Sequence, residues 1–106
     1  MKRLIWNAGL SVFAAGLALA GDAAAGKAAY DKSCKGCHGP SGTPNASIAK
    51  SLKVNMLHLG DPAVQKLSDE ELKSVLANGK GKMKATKNVS GKAADDVVAY
   101  MRTLKP

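Results

Sequence analysis

The chain has 106 residues, with 16 basic side chains, 8 acidic side chains and a formal net charge of +8, a length that suits one small domain. After residue 20 its only aromatic residues are Tyr30 and Tyr100, and a core so poor in large side chains would be marginal without a further apolar group. No aromatic residues alternate with the lysines, which argues against nucleic-acid binding despite the positive charge.

The first 20 residues have the pattern of a cleaved secretory signal peptide. Lys2 and Arg3 begin it, a mostly apolar stretch follows to Leu19, and Ala18-Leu19-Ala20 is an A-x-A cleavage signature. An uncleaved membrane anchor is the alternative, but the apolar stretch is short and lacks flanking anchor residues at its far end. We therefore expect export to the periplasm, no stable membrane insertion, and one domain over residues 21–106.

The first predicted helix lies directly before a cysteine pair. Asp22 can cap it, and it should run to about Cys34. A second possible cleavage site after Ala25 would trim this helix, so cleavage after Ala20 is preferred.

The run Cys34-Lys35-Gly36-Cys37-His38 is a C-x-x-C-H sequence, the pattern of c-type haem attachment. Two thiols at this spacing can form thioethers with one porphyrin, and the next histidine can then ligate the iron. A zinc site is disfavoured because His38 follows Cys37 too closely to close a tetrahedron. The sequence therefore predicts one covalent haem c through Cys34 and Cys37, with a disulfide or a redox dithiol as the alternatives.

The middle of the chain reads as helices joined by short loops. Residues 46–52 are a short helix candidate after a loop rich in Gly, Pro and Ser. Asp61-Pro62 places a capping residue before a proline, which predicts another helical turn. Ser68 and Glu71 form a capping box for a helix that ends at Asn78-Gly79.

The last helix is predicted from a cap at Ser90 to about Leu104, because its apolar residues recur at helical spacing. No alternating strand pattern appears in the chain. These features together predict an all-α domain.

An iron held by His38 needs a second axial ligand or remains open to small molecules. The candidates after residue 20 are Met56, His58, Met83 and Met101. Gly79 and Gly81 flank Lys80 just before Met83, and glycines let a backbone pass closely over a flat ring. Met83 is therefore the predicted ligand, Met101 is assigned to the core, and His58 is the main rival.

These motifs, in this order, resemble the class I c-type cytochromes in their short bacterial single-haem form. The resemblance rests on C-x-x-C-H, on the later Gly-Lys-Gly-Lys-Met sequence, and on a last helix reading Asp-Asp-Val-Val-Ala-Tyr-Met-Arg-Thr-Leu. It implies a small cytochrome c fold, with four to five short helices wrapped around one haem, that carries electrons and is not an enzyme. It also implies contact between the first and last helices through Gly26, Tyr30, Val97 and Tyr100.

Two features of the sequence depart from the family pattern, and a third has a candidate equivalent here. Lys84 stands where many relatives have a proline after the ligand methionine, and the chain after residue 20 has no tryptophan to meet the haem propionates. In the family a proline carbonyl often accepts a hydrogen bond from the ligand histidine, and Pro44 is the candidate for that contact here.

Lysines concentrate around the two predicted ligand segments. The predicted docking set is Lys35, Lys80, Lys82, Lys84 and Lys87. Such a surface would steer acidic redox proteins or membrane redox complexes into transient encounters with a monomer, although a face that only maintains solubility is the alternative. If Met83 does not ligate iron, a small haem enzyme or a gas- or peroxide-binding protein is the alternative function.

Overall fold

The computed structural model describes residues 21–106, so the predicted signal peptide lies outside the described residues. Six helices follow one another: α1 (Ala23–Ser33), α2 (Lys35–His38), α3 (Ala46–Leu52), α4 (Pro62–Gln65), α5 (Asp69–Asn78) and α6 (Lys92–Met101). Apart from an isolated bridge between Lys80 and Met83, the remainder of this part of the chain is loops and turns. The predicted all-α class is confirmed.

The number of helices exceeds the expected four to five because the chain forms a second, separate helix directly after α1. Cys34 ends α1 and begins α2, a single helical turn that holds the rest of the C-x-x-C-H motif. Sequence periodicity could not reveal a helix of four residues. None of the helices within residues 21–106 has both the length and the apolar character needed to cross a membrane.

The predicted helix starts before α1, α4 and α5 are confirmed by their capping contacts. The Asp22 carboxylate accepts hydrogen bonds from the backbone amides of Ala24 and Ala25, and Asp61 caps α4 in the same manner. At α5, Ser68 and Glu71 form the reciprocal capping box. These contacts satisfy amides that have no partner within a helix.

Both predicted ends of the last helix were wrong. Gly91, at φ +58°, occupies the N-cap position of α6 without a side-chain cap, so Ser90 lies outside the helix. The helix ends at Met101, where the next residue, Arg102, turns its guanidinium to the chain between α4 and α5. Arg102 donates to the Gln65 carbonyl at 2.8 Å and the Leu67 carbonyl at 2.7 Å.

The core lies where α1 and α6 cross. A Cβ on Gly26 would collide with the backbone carbonyl oxygen of Asp96 and would lie 3.0 Å from the Tyr100 Cβ. Tyr30 and Val97 are fully buried beside this contact, and the Tyr30 and Tyr100 ring centroids are 5.1 Å apart. The predicted contact through Gly26, Tyr30, Val97 and Tyr100 is therefore confirmed.

A methyl group at position 26 should separate the two helices. We expect Gly26→Ala to lower the free energy of unfolding by about 1–3 kcal/mol, the usual cost of overpacking, despite alanine's higher helix propensity. Urea unfolding followed by circular dichroism measures this.

Gly36→Ala is the matched control, since a Cβ on Gly36 meets no atom within 4 Å. Equal unfolding midpoints for the two variants would contradict the close crossing.

Candidate functional site

A cavity of about 580 Å³ opens beside α2, within the range of about 300–1,000 Å³ typical of cofactor sites. Its walls come from α2, from residues 52–59, and from residues 79–86, which we name the methionine loop. The lining residues used below are Cys34, Cys37, His38, Leu52, Val54, Met56, Leu57, Leu59, Val64, Lys80, Lys82, Met83, Lys84 and Thr86. Most of this surface is apolar, apart from the attachment motif and the three lysines.

The C-x-x-C-H side chains meet at one wall of the cavity. Cys34 is buried and Cys37 is exposed, and both thiols are free. Burial raises the pKa of Cys34, so its thiol stays protonated. Burial also lowers the pKa of His38, which favours the neutral imidazole that can ligate a metal ion.

His38 carries a buried nitrogen without a partner. Its Nδ1 atom has no hydrogen-bond acceptor or donor among the described residues, so the predicted bond to the Pro44 carbonyl is absent. The turn is held instead by the Asn45 amide, which donates to the Cys37 carbonyl at 2.9 Å. A buried polar atom of this kind calls for an explanation such as an ion or a water molecule, because ligation of a metal through Nε2 alone would leave Nδ1 without a partner.

Tyr30 fixes the backbone that follows His38. Its hydroxyl is buried and donates to the Gly39 carbonyl at 2.6 Å. Burial raises the pKa of Tyr30 to about 12, so the hydroxyl remains a neutral donor well above neutral pH. The helix crossing thereby holds the end of the attachment motif in place, a role that no local sequence pattern indicates.

The methionine loop makes a tight reversal at the cavity. Lys80 and Met83 exchange two backbone hydrogen bonds of 2.9 Å, and Gly79 and Gly81 have φ values of +79° and +58°. Residues with side chains rarely adopt this left-handed backbone, and a Cβ on Gly79 would lie 2.6 Å from the Met83 carbonyl oxygen. This geometry accounts for both glycines, and the close passage of the loop over a flat ring stays a prediction.

Met83 lines the same cavity as Cys34, Cys37 and His38. Met56 also lines it, from the extended segment after α3, so two thioethers border the cavity. Met101 is only 7% exposed and belongs to the helix core, as predicted.

His58, the rival ligand, does not line the cavity. Its Nδ1 accepts a hydrogen bond from the Gly60 amide at 2.8 Å, and its ring lies 3.2 Å from the Cβ position of Gly42. The imidazole therefore stabilises a turn behind the cavity wall, and the cavity lining contains no second histidine.

The apolar wall was missed by the sequence analysis. It consists of Leu52, Val54, Leu57, Leu59 and Val64. Residues 54–58 have no regular secondary structure, so helical periodicity cannot detect them. Leu52 ends α3 and Lys53 is left-handed at φ +57°, so no strand alternation links these residues either.

The predicted docking lysines divide into two groups. All five side chains are exposed, but Lys80, Lys82 and Lys84 also line the cavity, whereas Lys35 and Lys87 do not. The five residues therefore do not share one environment.

The residues at this cavity fit a covalently attached haem. Two free thiols at the required spacing, a neutral histidine and a facing thioether border one apolar space of cofactor size. Those are the attachment and axial groups that a haem c uses.

Comparisons with known proteins point to the same cofactor. The family model described as cytochrome c oxidase, cbb3-type, subunit III matches residues 21–101. A solved structure described as KustC0563 c-type cytochrome aligns with a TM-score of 0.63 at 26% identity, covering 76% of this chain and 98% of that chain. The comparison with curated proteins finds no match.

Removal of the Tyr30 hydroxyl should leave the buried Gly39 carbonyl with only the longer bond of 3.4 Å from the Gly42 amide. We expect Tyr30→Phe to lower the free energy of unfolding by about 1–3 kcal/mol, the cost of a poorly satisfied buried acceptor. Chemical unfolding of the same preparation measures it.

Tyr100→Phe serves as the control, because the Tyr100 hydroxyl makes an exposed and longer bond of 3.3 Å to the Pro40 carbonyl. Its effect should stay within about 0.5 kcal/mol. A Tyr30→Phe effect no larger than that would rule out a supporting role for the bond to Gly39.

Proposed function

This chain belongs to the c-type cytochromes, in the family of cbb3-type oxidase subunit III domains, and we propose that it shuttles single electrons between redox partners. Its fold is the small cytochrome c fold, and it contains a single C-x-x-C-H motif. Members of this family are typically electron carriers. The observation that supports the proposal most is that Cys34, Cys37, His38 and Met83 all border one apolar cavity.

In the proposed holoprotein, Cys34 and Cys37 would hold the haem through two thioether bonds. His38 and Met83 would hold its iron. When bound, the haem supplies an iron centre that gains and loses one electron. With both axial positions taken by protein side chains, no position remains for a substrate.

The other residues of the cavity affect the reduction potential of that iron centre. Leu52, Leu57 and Leu59 exclude water from it, and a low-dielectric surrounding disfavours the more highly charged ferric state. The lysines of the methionine loop act in the same direction, since positive charge stabilises the reduced iron. A thioether ligand also raises the potential.

We further propose that the protein works as a monomer in the periplasm, after removal of its signal peptide. Its partners are acidic redox proteins or membrane redox complexes. Lys35 and Lys87 support this because both are exposed and neither forms an ion pair within residues 21–106. Attraction between opposite charges accelerates encounter while leaving the complex short-lived.

The two methionines at the cavity provide a direct test of the axial ligand. We expect the purified periplasmic protein to carry one covalent haem by mass spectrometry, and its ferric form to show the near-infrared band of a thioether–iron bond. Met83→Ala should abolish this band because the thioether is lost, with covalent attachment unchanged.

Met56→Ala is the matched control, since it removes a thioether from the same cavity and should preserve the band. Persistence of the band in Met83→Ala would transfer the ligand role to another residue. Absence of the band in the unaltered protein would favour the small-molecule-binding alternative.

The docking proposal predicts a salt-dependent rate. The double substitution of Lys35 and Lys87 by Gln should slow electron transfer from a strongly acidic donor protein several-fold at low ionic strength, with the difference vanishing at high salt. Stopped-flow spectroscopy measures the second-order rate constant.

The double substitution of Lys66 and Lys105 by Gln, at exposed lysines outside the predicted set, controls for the same change in net charge. Should that control slow the reaction as much as the double variant does, steering would depend on net charge and not on a docking surface.

A further inference from the structure

We propose that Lys80, Lys82 and Lys84 are counter-charges for the two propionate carboxylates of the haem, and not docking residues. This inference rests on the proposed function, since it requires a bound haem. It assigns a binding role to three side chains of the methionine loop whose positive charges at the cavity would otherwise have no counter-charge.

Every acidic side chain of the protein is engaged away from this cavity. The chain has 8 Asp and Glu residues, and none of them lines the cavity. Three cap helices, namely Asp22, Asp61 and Glu71. Five form ion pairs, namely Asp31, Asp69, Glu70, Asp95 and Asp96.

The cavity lysines therefore form no ion pair with a carboxylate of their own chain, although the charge of Lys80 contributes to lowering the pKa of Glu71. Lys80, Lys82 and Lys84 form no ion pair within the described residues. By contrast, Lys27, Lys73 and Lys92 each pair with a nearby carboxylate. Three like charges close together along one loop repel one another, and anionic groups at the cavity would relieve that repulsion.

The other polar side chains at the cavity are poorly placed for this role. Ser33 precedes Cys34 directly and so lies at the attachment wall, where the vinyl edge of the porphyrin is bonded. The Thr86 hydroxyl donates to the Leu76 carbonyl at 3.1 Å. The propionates leave the porphyrin on the side away from its vinyl groups, so they need cations from another wall. Among the described residues, Lys80, Lys82 and Lys84 are the only lysine or arginine side chains in the lining.

Lysine suits this geometry. Its long stem can lie along apolar surface while the ammonium group reaches the edge, and the lining supplies such surface through Leu52 and Leu57, which are 37% and 45% exposed. A carboxylate at the edge of an apolar cavity is stabilised when a cation pairs with it. The chain has no tryptophan after residue 20 that could donate to it instead.

Cross-linking of the holoprotein by a water-soluble carbodiimide tests the pairing. The reagent activates a carboxylate, a lysine amine displaces it, and one amide forms while the reagent takes up the elements of water and leaves as its urea. We expect digestion to yield the haem peptide of Cys34 and Cys37 joined through the haem to a peptide that contains Lys80, Lys82 or Lys84.

The matched pair of variants uses the two lysine groups separately. Substitution of Lys80, Lys82 and Lys84 by Gln should abolish the haem-linked product, whereas substitution of Lys35 and Lys87 should leave it unchanged. A haem peptide that carries no lysine of the methionine loop overturns the inference. Absence of covalent haem would instead defeat the proposed function, so the two failures are distinguishable.

The midpoint potential gives a second readout that a merely structural lysine would not change. Lys82→Gln should lower it at every ionic strength, because an uncompensated propionate stabilises the ferric iron. Lys87→Gln, with the same change in charge, should produce a smaller shift that salt removes. Equal, salt-sensitive shifts in the two variants would show Lys82 to be an ordinary surface charge and overturn the pairing.

Discussion

The contact of Gly26 with the backbone of Asp96 is the constraint on which the rest of the structure depends. It lets α1 and α6 approach closely enough for Tyr30 to be fully buried beside Val97. Buried there, Tyr30 reaches the Gly39 carbonyl and fixes the turn after His38. A close helix crossing thus sets the position of the histidine of the C-x-x-C-H motif, which belongs to neither helix.

The cavity follows a different principle, because loops build most of it. Helices α1 and α6 supply a rigid frame, while the methionine loop and residues 52–59 form the walls. The methionine loop is nevertheless well fixed. Two bonds between Lys80 and Met83 close it, and Thr86 ties its far end to the Leu76 carbonyl of α5. Loops held by a rigid scaffold are where binding residues are commonly found.

What the sequence could predict depended on whether the signal was local. The caps at Asp22, Asp61 and Ser68 depend on a few adjacent residues, and they were found correctly. The attachment motif and the glycines around Lys80 are likewise local patterns.

The errors arose where distant residues decide the outcome. At the end of α6, Arg102 bonds to residues more than thirty positions away in the chain, such as Gln65, which is 37 positions away. The apolar wall from Leu52 to Val64 and the Asn45 bond to Cys37 depend on how loops fold over a cavity. Such contacts have no counterpart in a periodic pattern.

The bond between the Asp22 amide and the Asp96 carboxylate joins residues 74 positions apart, and it has a consequence for biogenesis. A chain delivered amino end first exposes α1 long before its partner helix exists, and contacts of such long range form late. The two thiols of the attachment motif therefore remain accessible throughout that interval. The domain closes only when the final helix is present, so the C-x-x-C-H segment stays outside a folded domain until then.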